Sequence, residues 1–183
     1  MKNEFEIRGD ATAIFLESPK YGAMETIIDT EDLPWVQEFP NTWRVHWNPK
    51  SKYFYVSGSV TELGKTSVIY LHRWIVGFPV DGVDVDHRNL DTLDNQRSSN
   101  LRVCTRAQNM QNRKGAQVNN ISSGIRGVSW DKYTDSWKAH IKLNGVLKHV
   151  GRFKDVHKAE VAVKEARAKL MPFSKEGALA YDT

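Results

Sequence analysis

Short runs of apolar residues, broken by turn formers, fill the first part of the chain. Ala13-Ile14-Phe15-Leu16, Thr42 to Trp47 and Tyr53 to Val56 are rich in β-branched and aromatic residues and predict strands. Asn48-Pro49-Lys50-Ser51 predicts a turn between the last two. Asp32-Leu33-Pro34-Trp35 predicts a short helix with Asp32 as its N-cap. Residues 1–65 thus form a β-rich N-terminal region.

The pattern changes over residues 66–113. Ser67 to Leu71 predicts a strand and His72 to Gly77 a short helix. Val83-Asp84-Val85-Asp86-His87 alternates apolar and acidic positions and predicts a strand. Leu101 to Val103 predicts another, and a helix follows from Arg106 to about Arg113. Residues 114–123 have linker composition. The last unit, 124–183, predicts strands at 125–130, 137–143 and 147–153. Asn144-Gly145 is a hairpin signal between the last two. Asp155 can cap a helix to about Leu170, with Ala159, Ala162, Val163, Ala166 and Leu170 on one face. The fold class is α+β.

Composition narrows the chemistry. The single cysteine, Cys104, allows no internal disulfide and no Cys-rich zinc site, so any metal must be held by Asp, Asn, His or water. The N-terminus has no apolar leader and no stretch is long enough to span a bilayer, which leads us to expect a soluble protein of the cytoplasm without a membrane partner. Residues 1–112 hold 12 Lys and Arg against 15 Asp and Glu, whereas residues 113–183 hold 14 against 7. That polarity suggests that the C-terminal part meets a polyanion.

One tempting motif fails. Gly58 to Thr66 is similar to a phosphate-binding loop but has five residues between its glycines instead of four, so a hairpin turn around Gly64 is expected. A stronger constellation is Asp86-His87, then Asp94-Asn95, Asn100 and Asn109 to Asn112. Neighbours on a regular strand point to opposite faces, so Asp86 and His87 share a site only at a strand end or a bulge. Carboxylate and carboxamide oxygens suit a hard cation such as Mg²⁺. A neutral imidazole beside that metal can take a proton from water.

From Leu71-His72-Arg73 to Asn112 the chain resembles the HNH nuclease motif, a ββα-metal core. Gly124-Ile125-Arg126-Gly127-Val128-Ser129-Trp130, Trp137 to Ile141 and His149 to Phe153 resemble the APETALA-type DNA-binding domain of ethylene-response factors. The whole is similar to phage-type HNH homing endonucleases that carry such a domain. The resemblance implies Asp86 as a metal ligand, His87 as general base, and Asn100 as the middle Asn that holds the His and shapes the loop. It implies Asn109 as the second ligand, with Asn112 an alternative one turn along, and packing for His72. The cofactor would be Mg²⁺ or Mn²⁺. The partner would be double-stranded DNA, contacted by Arg126, Trp130, Lys132, Trp137, Lys138, His140, Lys142, Lys148 and Arg152. Alternation by itself places Trp137, Ala139 and Ile141 on the core face and Lys138, His140 and Lys142 on the other. A monomer is expected, acting as a metal-dependent endonuclease on duplex DNA. Alternatives are a DNA-binding regulator with a silent nuclease core and a nickase beside a packaging terminase.

Overall fold

A computed structural model of the chain describes residues 1–113, 115–116 and 119–176. Of the expected linker, residues 114, 117 and 118 lie outside the described residues, as do residues 177–183 of the expected last unit. The elements are mixed, mostly strands with a few helices. They fall into two compact units, Met1–Thr105 and Arg106–Thr183.

The first unit contains three sheets. β1 (Phe5–Arg8), β2 (Ala11–Ser18) and β3 (Gly22–Asp29) form an antiparallel meander, as do β4 (Arg44–Asn48), β5 (Tyr53–Glu62) and β6 (Lys65–Tyr70). β7 (Val83–His87) and β8 (Leu101–Thr105) form an antiparallel pair. Two short helices, α1 (Leu33–Gln37) and α2 (Leu71–Ile75), complete the unit. Ile14, Leu16, Ile28, Val36, Phe39, Trp43, Val56 and Leu71 belong to its core, which removes apolar faces of β2, β3 and β5 from water.

Local chemistry explains several elements. Leu63 and Gly64 both have positive φ, so β5 and β6 meet in the tight turn that favours the strand twist, as expected around Gly64. Gly58 is a glycine because the Phe39 ring sits where a Cβ would be, 2.4 Å away. Asp32 departs from expectation. It precedes α1 but makes no side-chain cap, because Arg97 donates to its carboxylate instead (Nε–Oδ2 3.2 Å, Nη2–Oδ1 2.8 Å).

The second unit begins with α3 (Arg106–Asn109) and a 3₁₀ turn (Met110–Asn112). β9 (Val128–Asp131), β10 (Ser136–Leu143) and β11 (Val146–Phe153) follow, in spatial order β11-β10-β9. Asn144 and Gly145, both at positive φ, turn β10 into β11. α4 (Val156–Leu170) is capped by Asp155, whose carboxylate accepts from the main-chain N–H groups of His157 (2.7 Å) and Lys158 (3.0 Å). Val128, Ala139, Ile141, Ala159, Val163 and Met171 form this unit's core. β9 starts three residues later than its sequence predicts. Gly127 passes close to β10, and a Cβ there would lie 2.4 Å from the His140 carbonyl oxygen.

Candidate active site

β7 pairs with β8 in the register Asp86↔Arg102 and His87↔Leu101. His87 is the last residue of β7, so the chain leaves the regular strand there and enters the loop 88–100. Its ring is 4% exposed. Nε2 lies 3.2 Å from Oδ1 of Asn95, and Nδ2 of Asn95 donates to Thr26 Oγ1 at 2.8 Å. Burial holds the His87 imidazole below its ordinary pKa, against the opposing pull of the Asn95 contact and of Asp86, Asp94 and Asp91. The ring is therefore neutral near pH 7. With Nε2–H donating to Asn95, the basic lone pair is on Nδ1.

Asp86 is buried and accepts from Arg102 through Nε (2.9 Å) and Nη2 (2.7 Å), both on Oδ2. A buried pair of this kind leaves a costly charge if one member is removed. Among the described residues no group of three or more His, Cys, Asp and Glu side chains is placed to hold a metal. A carboxylate complemented by carboxamides and water is the donor set a hard divalent ion takes, and Asp86 is of the carboxylate type, with its Oδ2 engaged by Arg102. Asn109, half-buried on α3, and the buried Asn112 on the following turn belong to the second unit.

Asn100 organises the loop. Its Oδ1 accepts from the Asn89 N–H (2.9 Å), and its Nδ2 donates to the carbonyls of Asp91 (3.2 Å) and Asp94 (2.6 Å). The carboxamide at His87 is that of Asn95, a residue whose role sequence reasoning did not assign. The loop is also tied to β3. Ile27 N–H donates to Leu93 O (3.0 Å) and Asn95 N–H to Ile27 O (2.7 Å). Ser98 donates to the Asp29 carboxylate from both its N–H and its hydroxyl, each at 2.7 Å. No periodicity foretells contacts between residues nearly 70 positions apart.

His72, at 9% exposure, packs within a ring cluster. Its centroid is 5.1 Å from His87, 5.5 Å from Tyr70 and 6.0 Å from Tyr55. Burial, then His87 and Arg73, push its pKa down to about 3.

In the second unit the expected DNA residues separate into groups. Trp130 and Trp137 are cross-strand partners with rings 5.0 Å apart, and Trp137 packs against the helix-side core. Lys138 pairs with Arg152 on the opposite face, which His140 and Lys142 share by alternation. A bulge in β11 at Val150 changes the parity. His149 pairs with His140 on the basic face, whereas Lys148 pairs with the core-facing Ile141. His149 is thus a member of the basic face that the simple count misses. Lys132 is exposed beside the Tyr133 ring, and Arg152 is ion-paired with Asp131 at 3.2 Å. His140 is half-buried, and its pKa is lowered by burial and by Lys138 and His149.

Arg126 is placed differently. Its guanidinium donates to the carbonyls of Gln111 (2.9 Å) and Arg113 (2.8 Å), at the C-terminal end of the helical turn that follows α3. Its own carbonyl accepts from Arg167 (3.0 Å). Burial and the neighbouring Arg167 bring its pKa down to about 10. Arg126, His140 and Lys142 line a cleft of about 730 Å³ within this unit.

Residues 70–111 match a family described as HNH endonuclease. The match covers β6 from Tyr70, α2, β7, the Asn-rich loop, β8 and α3. No curated protein and no solved structure matches the chain. No helix among the described residues is long and apolar enough to cross a membrane. The HNH endonuclease match supports a hydrolase that cleaves DNA.

Proposed function

We propose that the protein is a metal-dependent endonuclease of duplex DNA, phage-encoded or of the homing type. The observation that supports this best is the buried, neutral His87 at the end of β7, next in sequence to the carboxylate of Asp86 and inside the HNH match. His87 takes the proton of the attacking water. Asp86 is the carboxylate ligand, and Asn109 is the second ligand on the resemblance alone. A divalent ion bound there would stabilise negative charge on the phosphate and the leaving oxygen. Asn95 and Asn100 fix the imidazole and its loop. The basic face of β10 and β11 supplies sequence-independent affinity through phosphate contacts.

The test is incubation of supercoiled plasmid with purified protein in Mg²⁺ or Mn²⁺, with an EDTA control. Nicked or linear product that EDTA abolishes is expected. Plasmid left supercoiled in every metal, with gel-shift binding intact, would replace this reading with that of a DNA-binding regulator whose nuclease core is silent.

A further inference from the structure

Alternation divides the β4–β5–β6 sheet into two faces. Val45, Val56 and Ile69 turn to the core of the first unit. The cross-strand sets Arg44↔Ser57↔Tyr70 and His46↔Tyr55 lie on the other face. On this second face the rings form a continuous row. His46 is 6.1 Å from Tyr70, Tyr70 is 6.1 Å from Tyr55, and Tyr55 is 6.3 Å from His87. The row begins at the buried His87 and ends at the exposed His46 and Arg44.

Charge gives a second, independent observation. The chain has no Asp or Glu between Glu38 and Glu62, yet Arg44, Lys50 and Lys52 fall in that interval together with His46. The first 112 residues otherwise carry more acid than base. The β4–β5 hairpin is a basic island in an acidic region, and it adjoins the ring row that leads to His87.

We propose that this face is a second DNA-contact surface, on which Arg44 and His46, with Tyr55 and Tyr70 between them and His87, receive the strand flanking the scissile phosphate. The inference rests on His87 as the residue at the reacting end. A guanidinium and an imidazole at the rim meet phosphate oxygens, and the tyrosines offer ring edges and hydroxyls to the sugar-phosphate chain. The distance suits the ligand. Two interstrand spacings span about 10 Å, and a DNA strand advances about 3.4 Å per nucleotide along the helix axis, so the face covers about three nucleotides. Lys50 and Lys52, both exposed in the β4–β5 turn, add positive charge at the far end of β4 from Arg44.

The test uses the full chain in EDTA, so that it reads binding without cleavage. Affinity for a 40-base-pair duplex is measured against salt for wild type, Arg44→Ala and Lys20→Ala. Lys20 is an exposed cation at the turn between β2 and β3 and controls for net charge. Arg44→Ala is expected to weaken binding on the order of 3- to 10-fold and to reduce the log–log salt slope by about 0.9, with Lys20→Ala close to wild type. Because the one native cysteine is buried, His46→Cys also provides a single exposed thiol for a photoreactive label. That label should crosslink to the duplex, and the same label on Lys20→Cys should not. Equal affinities and slopes for Arg44→Ala and Lys20→Ala, or equal crosslinking from the two labelled positions, would overturn the assignment. Wild-type plasmid cleavage is scored separately. Its failure counts against the nuclease reading, while the binding data still decide whether this face meets DNA.

Discussion

The loop around His87 and the basic sheet of the second unit are both polar, and they use polarity in opposite ways. In and under the loop, Asn95 and Asn100 and the β3 residue Asp29 are buried, and each spends its hydrogen bonds on the protein. Along β10 and β11, Lys142, Lys148 and His149 are exposed. A buried polar group that loses its partner bears the desolvation cost, whereas a surface cation that is removed costs the fold little. The loop therefore holds geometry and the sheet offers charge. Substitutions should act on rate and stability in the first and on affinity in the second.

The largest expected effect is at His87. His87→Ala should lower single-turnover cleavage in Mn²⁺ by about 10²- to 10⁴-fold, with gel-shift affinity in EDTA within about twofold of wild type. A variant that cleaves normally would remove His87 from the chemistry. A variant that loses affinity instead would erase the contrast between the two regions.

Asn100→Ala should come next, because three main-chain groups lose their partner. A loss of about 2–3 kcal/mol in urea denaturation is expected. No change in midpoint would mean that water replaces those bonds.

His72 sharpens the contrast through pH. Its folded pKa is about 3 against an ordinary 6.5. Below pH 6.5 the unfolded chain takes up a proton that the folded chain refuses. Stability contributed by the neutral ring is complete above 6.5 and falls as pH drops toward 3. The slope is about 1.4 kcal/mol per pH unit, or about 2 kcal/mol by pH 5. His72→Phe should remove that component, and thermal melts of the two proteins at pH 7.5 and pH 5 measure the difference. Parallel shifts in both would show that the ring is not the source.

The smallest effects separate Lys138 from Arg126. Lys138→Ala should weaken duplex binding about threefold and flatten the salt slope by about 0.9. Arg126→Ala should leave the slope nearer to wild type and instead destabilise the second unit by about 1–2 kcal/mol, because main-chain carbonyls lose their donor. If Arg126→Ala flattens the slope as Lys138→Ala does, its guanidinium reaches DNA despite its main-chain bonds.

Much of the secondary structure was legible in the sequence because period-two runs, Asn-Gly turns and an Asp cap are local signals. The β10–β11 hairpin and α4 follow from them directly. Asp86 and His87 were legible as a pair because a strand ends at His87. Three features were not. The side-chain cap at Asp32 lost to Arg97, an ion-pair partner 65 residues away. Arg152 shares the face of His149 rather than that of Lys148 because of the bulge at Val150, and one extra residue inverts every position beyond it. The contact of Asn95 with His87 depends on Thr26, which holds the amide from another sheet. Each of these outcomes is decided by tertiary contact or register rather than by neighbours in the chain.

The bonds from Ser98 to Asp29, and from Leu93 and Asn95 to Ile27, also bear on how such a nuclease can be moved between proteins. A graft carrying residues 70–111 alone would leave β3 behind, and with it the strand edge and the carboxylate that hold the loop in shape. The smallest transferable piece of the first unit therefore reaches back to include β3. Any crossover that splices this segment into a new host succeeds only where the host supplies an equivalent edge.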